Sequence, residues 1–373
     1  MRKSSDFDVI VVGAGHAGIE AAMASARLGV RTGVVTTNID RIGFMSCNPS
    51  IGGLGKGHMV REVDVLGGVM GLVADLSCIQ FKRLNARKGA AVRGSRAQCD
   101  KEIYNQEMVR RLSDSPNMSI ISGEVKELIV EHDSCVGVRL GDGSDIFCSA
   151  VVITTGTFLN GVMHIGMSQM LGGRVGDLAS VGLSAQLKAF GFEVKRLKTG
   201  TPPRLYRDSI DFSKTSVQKG DDTFFPFSYR GARTLRLPQV DCYLSYTNEE
   251  THDIIRRNLD KSPMFCGAIE GSGPRYCPSI EDKITRFADK AFHQTFLEPE
   301  SLSTDSIYLQ GISTSLPEEV QYEFLKTIPG LENVRLIRPG YAVEYDFVEP
   351  TQISHSLETK ALRGLFLAGQ ING

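Results

Sequence analysis

The stretch from Asp8 to Val30, DVIVVGAGHAGIEAAMASARLGV, admits few structures. Val9 to Val12 is a continuous apolar, β-branched run, as expected of a parallel strand buried on both faces. Gly13, Gly15 and Gly18 follow at once in G-x-G-x-x-G spacing. The first glycine serves a tight turn, the second lets backbone approach a pyrophosphate, and the third permits close helix–strand packing. Ala17 to Leu28 then reads as an alanine-rich helix ended by Gly29, and Arg31 to Val35 as a second strand. Strand, glycines, helix and strand together make the helix N-terminus an anion site suited to a dinucleotide. A glycine turn that binds nothing is the bland alternative, and the complete βαβ context weighs against it. A ribose-binding acid is expected at the end of the second strand, but Thr36, Thr37 and Asn38 stand there instead.

Two later segments favour FAD over a simple nicotinamide dehydrogenase. Cys148 to Phe158, CSAVVITTGTF, is a buried strand running into Thr-Gly-Thr, and Gly364 to Gly373, GLFLAGQING, is a short apolar strand running into Ala-Gly-Gln. Both resemble strand ends that return to the cofactor in two-dinucleotide flavoproteins, consistent with ligands binding beyond the carboxyl ends of a parallel sheet. Met118 to Ile153 alternates strand and turn signals, Gly141-Asp142-Gly143 among them, which predicts a β-meander. The expected fold class is α/β: a Rossmann-like FAD-binding domain of the glutathione-reductase type, with a parallel sheet and β-meander, and an inserted second mixed α/β domain. The expected division is 1–200 for the first part, 201–345 for the insertion and 346–373 for the return strand. Within 201–345 Pro, aromatic and Ser/Thr content rises and helical periodicity is sparse.

The remaining composition mainly excludes. Lys plus Arg number 42 against 43 Asp plus Glu, so no global charge pulls toward nucleic acid or anionic lipid. The eight cysteines form no CxxC pair, which argues against a zinc site of the usual spacing and for reduced thiols in a cytoplasm. The start MRKSSDFDVIVVGAG mimics a signal peptide, but its apolar run is short, contains Asp8 and breaks at Gly13. No segment approaches the length of a membrane span. Met45 to Gly68 tempts a P-loop reading, which fails because Gly57 follows Lys56 and Ser50 stands where the first glycine belongs.

MSCNPSIGGLGKGH, RLNARKGAAVRGSRAQCD, LKTGTPPR, EGSGPRYCPSIEDKITRF and RPGYAVEYDF together resemble one family, from about Phe7 to Gly373. It is the bacterial tRNA uridine 5-carboxymethylaminomethyl modification enzyme family, also called glucose-inhibited division protein A. The resemblance implies FAD on the loop Gly13, Ala14, Gly15, His16, Ala17 and Gly18, with contacts at Val125, Ser180 and Gln370. It implies NAD(H) on the segment from Gly273 to Phe287, through Gly273, Pro274, Arg275, Tyr276 and Lys283. The two cations suit a phosphate or carboxylate; the bland alternative is ordinary pairing with Glu281 and Asp282.

The implied reaction joins a methylene carbon from methylenetetrahydrofolate, and an amine, to C5 of the wobble uridine. It uses NADH-reduced FAD, a partner tRNA-modification GTPase and a homodimer. Uridine C5 is a poor nucleophile until a thiolate adds at C6, so a cysteine is expected. Cys47 and Cys277 match the family's candidates, and which of them attacks is left open. Cys78, Cys99, Cys135, Cys148, Cys242 and Cys266 are expected to be buried structural thiols. Family members continue past the position of Gly373 into a helix closing the FAD site and a helical region that meets the GTPase and tRNA. The chain is therefore expected to be a truncated form.

Lys82, Arg83, Arg87, Lys88, Arg93 and Arg96 form a basic run without an intervening acid, read as a solvated face or a phosphate contact. Pro202-Pro203 suits a rigid crossing between domains. His16 and His58 read as loop or helix-start residues rather than metal ligands. The alternatives are the related folate- and FAD-dependent tRNA uridine C5-methyltransferase, a catalytically silent flavin- or RNA-binding fragment, and a generic nicotinamide–flavin oxidoreductase.

Overall fold

A computed structural model describes residues 5–271, 273 and 278–373. Five parallel strands lie in the order Leu365–Leu367, Ala150–Ile153, Val9–Val12, Thr32–Thr36 and Met118–Ser122. Ile10, Val12, Val151 and Ile153 point into one core, while Val11 and Val34 point into the other. Both faces are covered, which is why the first strand is apolar throughout instead of alternating. The helix His16–Arg27 starts directly after Gly15, and Gly29 at φ +86° ends it in the left-handed region.

The first core is closed by the antiparallel strands Val125–Glu131, Ser134–Leu140 and Asp145–Phe147. This is the expected meander. His132 and Asp133 make its first turn at positive φ, and Gly143 serves the second. The second core packs His16–Arg27, Lys56–Val65, Met70–Leu76 and Lys101–Ser113 through residues such as Ile19, Val60, Val73, Tyr104 and Leu112. Asp100 starts the last of these helices by accepting from the N–H groups of Glu102 and Ile103.

The glycine-rich stretch after Cys47 is a packing device. Ser50–Gly52 pairs antiparallel with Gly94–Cys99, and the helix Lys56–Val65 lies close behind. Gly52 has φ +85°, and a Cβ there would meet Ser95 O at 2.3 Å and the Phe227 ring at 2.5 Å. Phe227 itself arrives from far along the chain. Asp75 holds it by accepting from the N–H groups of Phe227 and Ser228 at 2.9 and 2.8 Å.

A further sheet, in the order Ser168–Leu171, Val162–Ile165, Tyr341–Val348 and Val194–Thr201, carries an eight-residue ladder from Val194↔Val348 to Thr201↔Tyr341. Pro202 and Pro203 then hand the chain to Arg204–Tyr206, which belongs to a six-stranded sheet with Ser216–Gln218, Cys242–Tyr246, Gln294–Pro299, Ser306–Gln310 and Leu336–Arg338. Short helices at Glu249–Arg256, Ile280–Arg286 and Glu318–Leu325 cover that sheet's apolar core. Among the described residues no helix is long and apolar enough to cross a membrane.

Candidate functional site

The glycine loop is gripped from the neighbouring strand end. Thr154 Oγ1 donates to Val12 O at 2.9 Å and to Gly13 O at 3.0 Å. Gly13 has φ +101°, and a Cβ on Gly18 would sit 1.9 Å from Gly13 O. Only glycine at 18 lets the helix start this close to the strand. Gly15 differs: it is exposed, and a Cβ there would meet nothing within 4 Å. Among the described residues no side chain caps the helix, so its first turn at the sheet's carboxyl edge keeps N–H groups that the helix itself does not bond.

The other residues named for this ligand cluster at the same edge. Ala14 is buried, and its carbonyl accepts from Gly43 N–H. Ala17 abuts the turn Gly369–Asn372 that carries Gln370: a Cβ on Gly369 would lie 2.6 Å from Ala17 Cβ. Gly123 N–H donates to Thr36 O, which brings Val125 to the end of the second strand, although its side chain is buried in the core. Ser180 exchanges backbone hydrogen bonds with Phe158 and Asn160, just past Thr154. A cradle closed at Gly18 and open at Gly15 fits a dinucleotide's pyrophosphate.

His16 opens the helix with its ring 5.5 Å from that of Tyr104 and Nε2 buried without a partner. Burial draws its pKa down to about 4. Below about pH 6.5 the unfolded chain takes up a proton that the folded ring refuses until about pH 4, so stability falls across that window on acidification. We expect His16 to account for up to about 3 kcal/mol of that loss. Urea unfolding at pH 7 and 4.5 should show a smaller difference in His16→Asn than in the parent; an equal difference rejects the assignment.

Cys47 sits where the two halves of the molecule meet. Arg204 donates from NH2 to Cys47 O at 2.8 Å, and Lys101 Nζ reaches the same carbonyl at 3.4 Å. Glu300 pairs with Lys101 and, at 3.1 Å, with Arg204 Nε; it also accepts from Ser306 Oγ at 2.6 Å. Arg204 further donates to Thr201 Oγ1 and Pro202 O at 2.6 and 2.7 Å. Burial opposes charge on Glu300, but Lys101 and Arg204 outweigh it and hold the carboxyl at about 2. Burial likewise draws Lys101 down to about 8, against the pull of Glu300. Both remain charged at neutral pH. The half-buried Cys47 thiol lies 3.7 Å from Gly200 O and 3.3 Å from Tyr308 Oη. Arg204 covers the Tyr308 ring at 4.5 Å. Next door, Arg174 donates to Ser46 Oγ at 2.8 Å and pairs with Asp177.

Pro274, Arg275, Tyr276 and Cys277 lie outside the described residues. Gly273 is exposed. On one flank the N–H groups of Glu270 and Gly271 donate to the Glu344 carboxylate at 2.9 and 2.8 Å. Gly271 packs on the backbone of Leu197 and Lys198. On the other flank Ser279 and Asp282 form a capping box, and Ile280 N–H donates to Ser313 O. Lys283 Nζ donates to Gly311 O at 2.8 Å, while buried Glu281 accepts from Thr314 Oγ1 and Ser315 N–H. The strand Val194–Thr201 thus touches Gly271 at Leu197–Lys198 and Cys47 at Gly200, about 7–10 Å apart along the strand.

Two expectations are corrected. Cys266 is exposed, not a buried structural thiol; its sulfur lies 3.6 Å from Met167 Sδ. The neighbouring edge strand Ser168–Leu171 is itself exposed throughout. Cys78, Cys99, Cys135, Cys148 and Cys242 are buried as expected. Burial pushes Cys99, Cys148 and Cys242 up to about 12 and Cys135 to about 11. The basic run is also not one solvated face. Arg96 pairs with buried Glu298, Lys82 with Asp221 at 3.2 Å, and Arg83 stacks on Phe225 at 4.2 Å, because both faces of the paired strands Cys78–Leu84 and Gly94–Cys99 meet other parts of the chain. His58 lies within the helix Lys56–Val65. Sequence reasoning missed Lys101, Glu300 and Tyr308 altogether, and treated Arg204 only as the residue after Pro-Pro.

A family model described as glucose inhibited division protein A matches residues 8–373. The chain is 71% identical over 367 residues to the tRNA uridine 5-carboxymethylaminomethyl modification enzyme MnmG of Bdellovibrio bacteriovorus, covering 98% of this chain and 57% of that protein. It is 54% identical over 373 residues to the enzyme of the same name from Thermodesulfovibrio yellowstonii, covering 100% of this chain and 60% of that one. The form I crystal structure of Aquifex aeolicus GidA superposes with a TM-score of 0.93 at 52% identity, over 99% of this chain and 62% of that one. The chain therefore spans about 57–60% of the length of the curated relatives it matches.

Proposed function

Because the chain belongs to the glucose inhibited division protein A family, we propose that it is the flavin-binding catalytic portion of a tRNA uridine 5-carboxymethylaminomethyl modification enzyme. In this reading FAD is held by Gly13–Gly18, Val125, Ser180 and Gln370, and NADH by Gly273, Pro274, Arg275, Tyr276 and Lys283. Once bound, the flavin would supply hydride chemistry, with NADH as its reductant. The division into 1–200, 201–345 and 346–373 belongs to the same proposal, as do a cytoplasmic location, a homodimer and a tRNA-modification GTPase as partner.

The protein's own chemistry is that of a thiolate. Either Cys47 or Cys277 adds its sulfur to C6 of the wobble uridine; the C5–C6 π pair moves out to O4 as an enolate. The enolate pair then forms the bond from C5 to the methylene carbon of the folate iminium, whose C=N π pair returns to the folate nitrogen. Loss of the C5 proton and expulsion of the thiolate from C6 restore the double bond. Glycine or ammonium then forms the new C–N bond at the methylene carbon, while the folate nitrogen leaves with the old bonding pair and takes up the proton the amine gives up. The observation that carries this reading is the seat of Cys47: a half-buried thiol with Tyr308 at 3.3 Å, and with Lys101 and Arg204 gripping its own carbonyl.

The test uses a chain of the relatives' full length that contains these residues, supplied with tRNA, partner GTPase, methylenetetrahydrofolate, glycine, NADH and FAD. Mass spectrometry of the tRNA is expected to show the aminomethylated uridine. Cys47→Ala and Cys277→Ala are each expected to lose it while keeping flavin. Full product from both variants overturns the cysteine roles. A methylated uridine made without the GTPase points instead to the methyltransferase chemistry.

A further inference from the structure

Tyr308 lies in the strand Ser306–Gln310 of the six-stranded sheet, whereas Cys47 lies in a loop of the flavin-side core. Their polar atoms nevertheless stand 3.3 Å apart, and the Tyr308 residue is only 3% exposed. Among the described residues, the sulfur's other polar neighbour is the Gly200 carbonyl at 3.7 Å. A carbonyl accepts but does not donate, so it suits the thiol and repels the thiolate. Tyr308 is the hydroxyl in contact that can donate to the deprotonated sulfur.

We propose that Tyr308 is a positioning residue for Cys47: its hydroxyl donates to the thiolate, stabilises it and aims it. The inference deepens the functional reading above and rests on Cys47 being one of its thiols. The charged groups around the sulfur are Lys101 and Arg204 at the Cys47 carbonyl, Glu300 bridging those two, and Glu298 farther off beside Arg96. Lys101 and Arg204 act on the backbone oxygen and Glu300 screens them, which leaves Tyr308 as the group in direct contact with sulfur. Burial first, and then the proximity of Cys47, hold the Tyr308 phenol well above its ordinary range. The phenol therefore keeps its proton and remains a donor. The Arg204 guanidinium over its ring, at 4.5 Å, fixes the ring's plane.

The experiment follows S-alkylation of Cys47 by iodoacetamide in this chain from pH 6 to 10, with peptide mass spectrometry separating it from the exposed Cys266. A hydrogen bond to a charged acceptor predicts that Tyr308→Phe alkylates about tenfold more slowly at pH 7, with its profile moved to higher pH and the two proteins converging at the alkaline end. Site-specific 3-fluorotyrosine at 308 keeps the shape but donates more strongly, and below pH 8 should move the profile the opposite way. It decides the question even if Tyr308→Phe does not fold. A change in rate without movement of the profile means a merely structural role and overturns the proposal, as does no change in either variant. Alkylation needs neither tRNA nor cofactor. Its failure is thus distinguishable from failure of the functional reading, which Cys47→Ala product analysis tests.

Discussion

Gly15→Ala should fold like the parent yet fail to take up FAD, while Gly18→Ala should lose both stability and flavin. The contrast follows from what each new methyl would meet. At Gly15 φ is −75° and the space around the Cβ position is empty to 4 Å, so an alanine strains nothing in the folded protein. It does place a methyl where backbone must approach a pyrophosphate. At Gly18 the methyl would lie 1.9 Å from Gly13 O and 2.7 Å from Thr154 Oγ1. The Gly13 backbone cannot yield, because its carbonyl also accepts from Thr154 Oγ1 and its N–H donates to Val35 O. The helix must shift away from the sheet, at a cost of about 3 kcal/mol or more. Thermal unfolding and the visible absorbance of protein titrated with FAD separate the two effects. Equal flavin uptake by Gly15→Ala and the parent would mean that the ligand does not approach this loop.

Glu300→Gln should cost about 3–5 kcal/mol, since it leaves the buried cations of Lys101 and Arg204 without their anion. The sign with pH is fixed by the depressed carboxyl of Glu300. Its stabilisation is complete above the usual glutamate range near 4.5 and is lost as pH falls toward about 2. The gap between parent and Glu300→Gln in urea unfolding should therefore be widest near pH 7 and narrow in acid. A constant gap from pH 7 to 3 would show that Glu300 acts through packing rather than charge. Because both cations also hold the Cys47 carbonyl, the variant should loosen that loop and broaden the reactivity of its thiol.

Much of the nucleotide side was legible from local pattern. Val9–Val12, the three glycines and the helix after them are close in sequence, so their geometry follows from short-range sterics that spacing encodes. The meander at 125–147 was equally readable, because turns and alternating strands leave local marks. The return of Leu365–Leu367 to the sheet was readable only because its segment, like Cys148–Phe158, resembles the cofactor-side strand ends of two-dinucleotide flavoproteins, since no local rule joins residues so far apart. The cysteines show the limit from the other side. Five of them proved buried, but Cys266 did not: whether a thiol is covered is set by what packs on it from distant parts of the chain, such as Met167 about a hundred residues away, and not by its own neighbours in sequence.

By itself, then, the sequence determined the βαβ nucleotide motif, the class of the sheet and, through long motifs, the family. Each rests on contacts within a few residues or on extended identity. Tertiary structure alone decided the surroundings of Cys47. Lys101, Arg204 and the hairpin that carries both Glu300 and Tyr308 come from three separate segments, and each residue is unremarkable where it stands in the chain. The ladder between Val194–Thr201 and Tyr341–Val348, and the Pro-Pro crossing that follows it, bring two sheets together over the flavin-side core. Burial at that junction makes the charges dependent on one another, and no spacing rule records it.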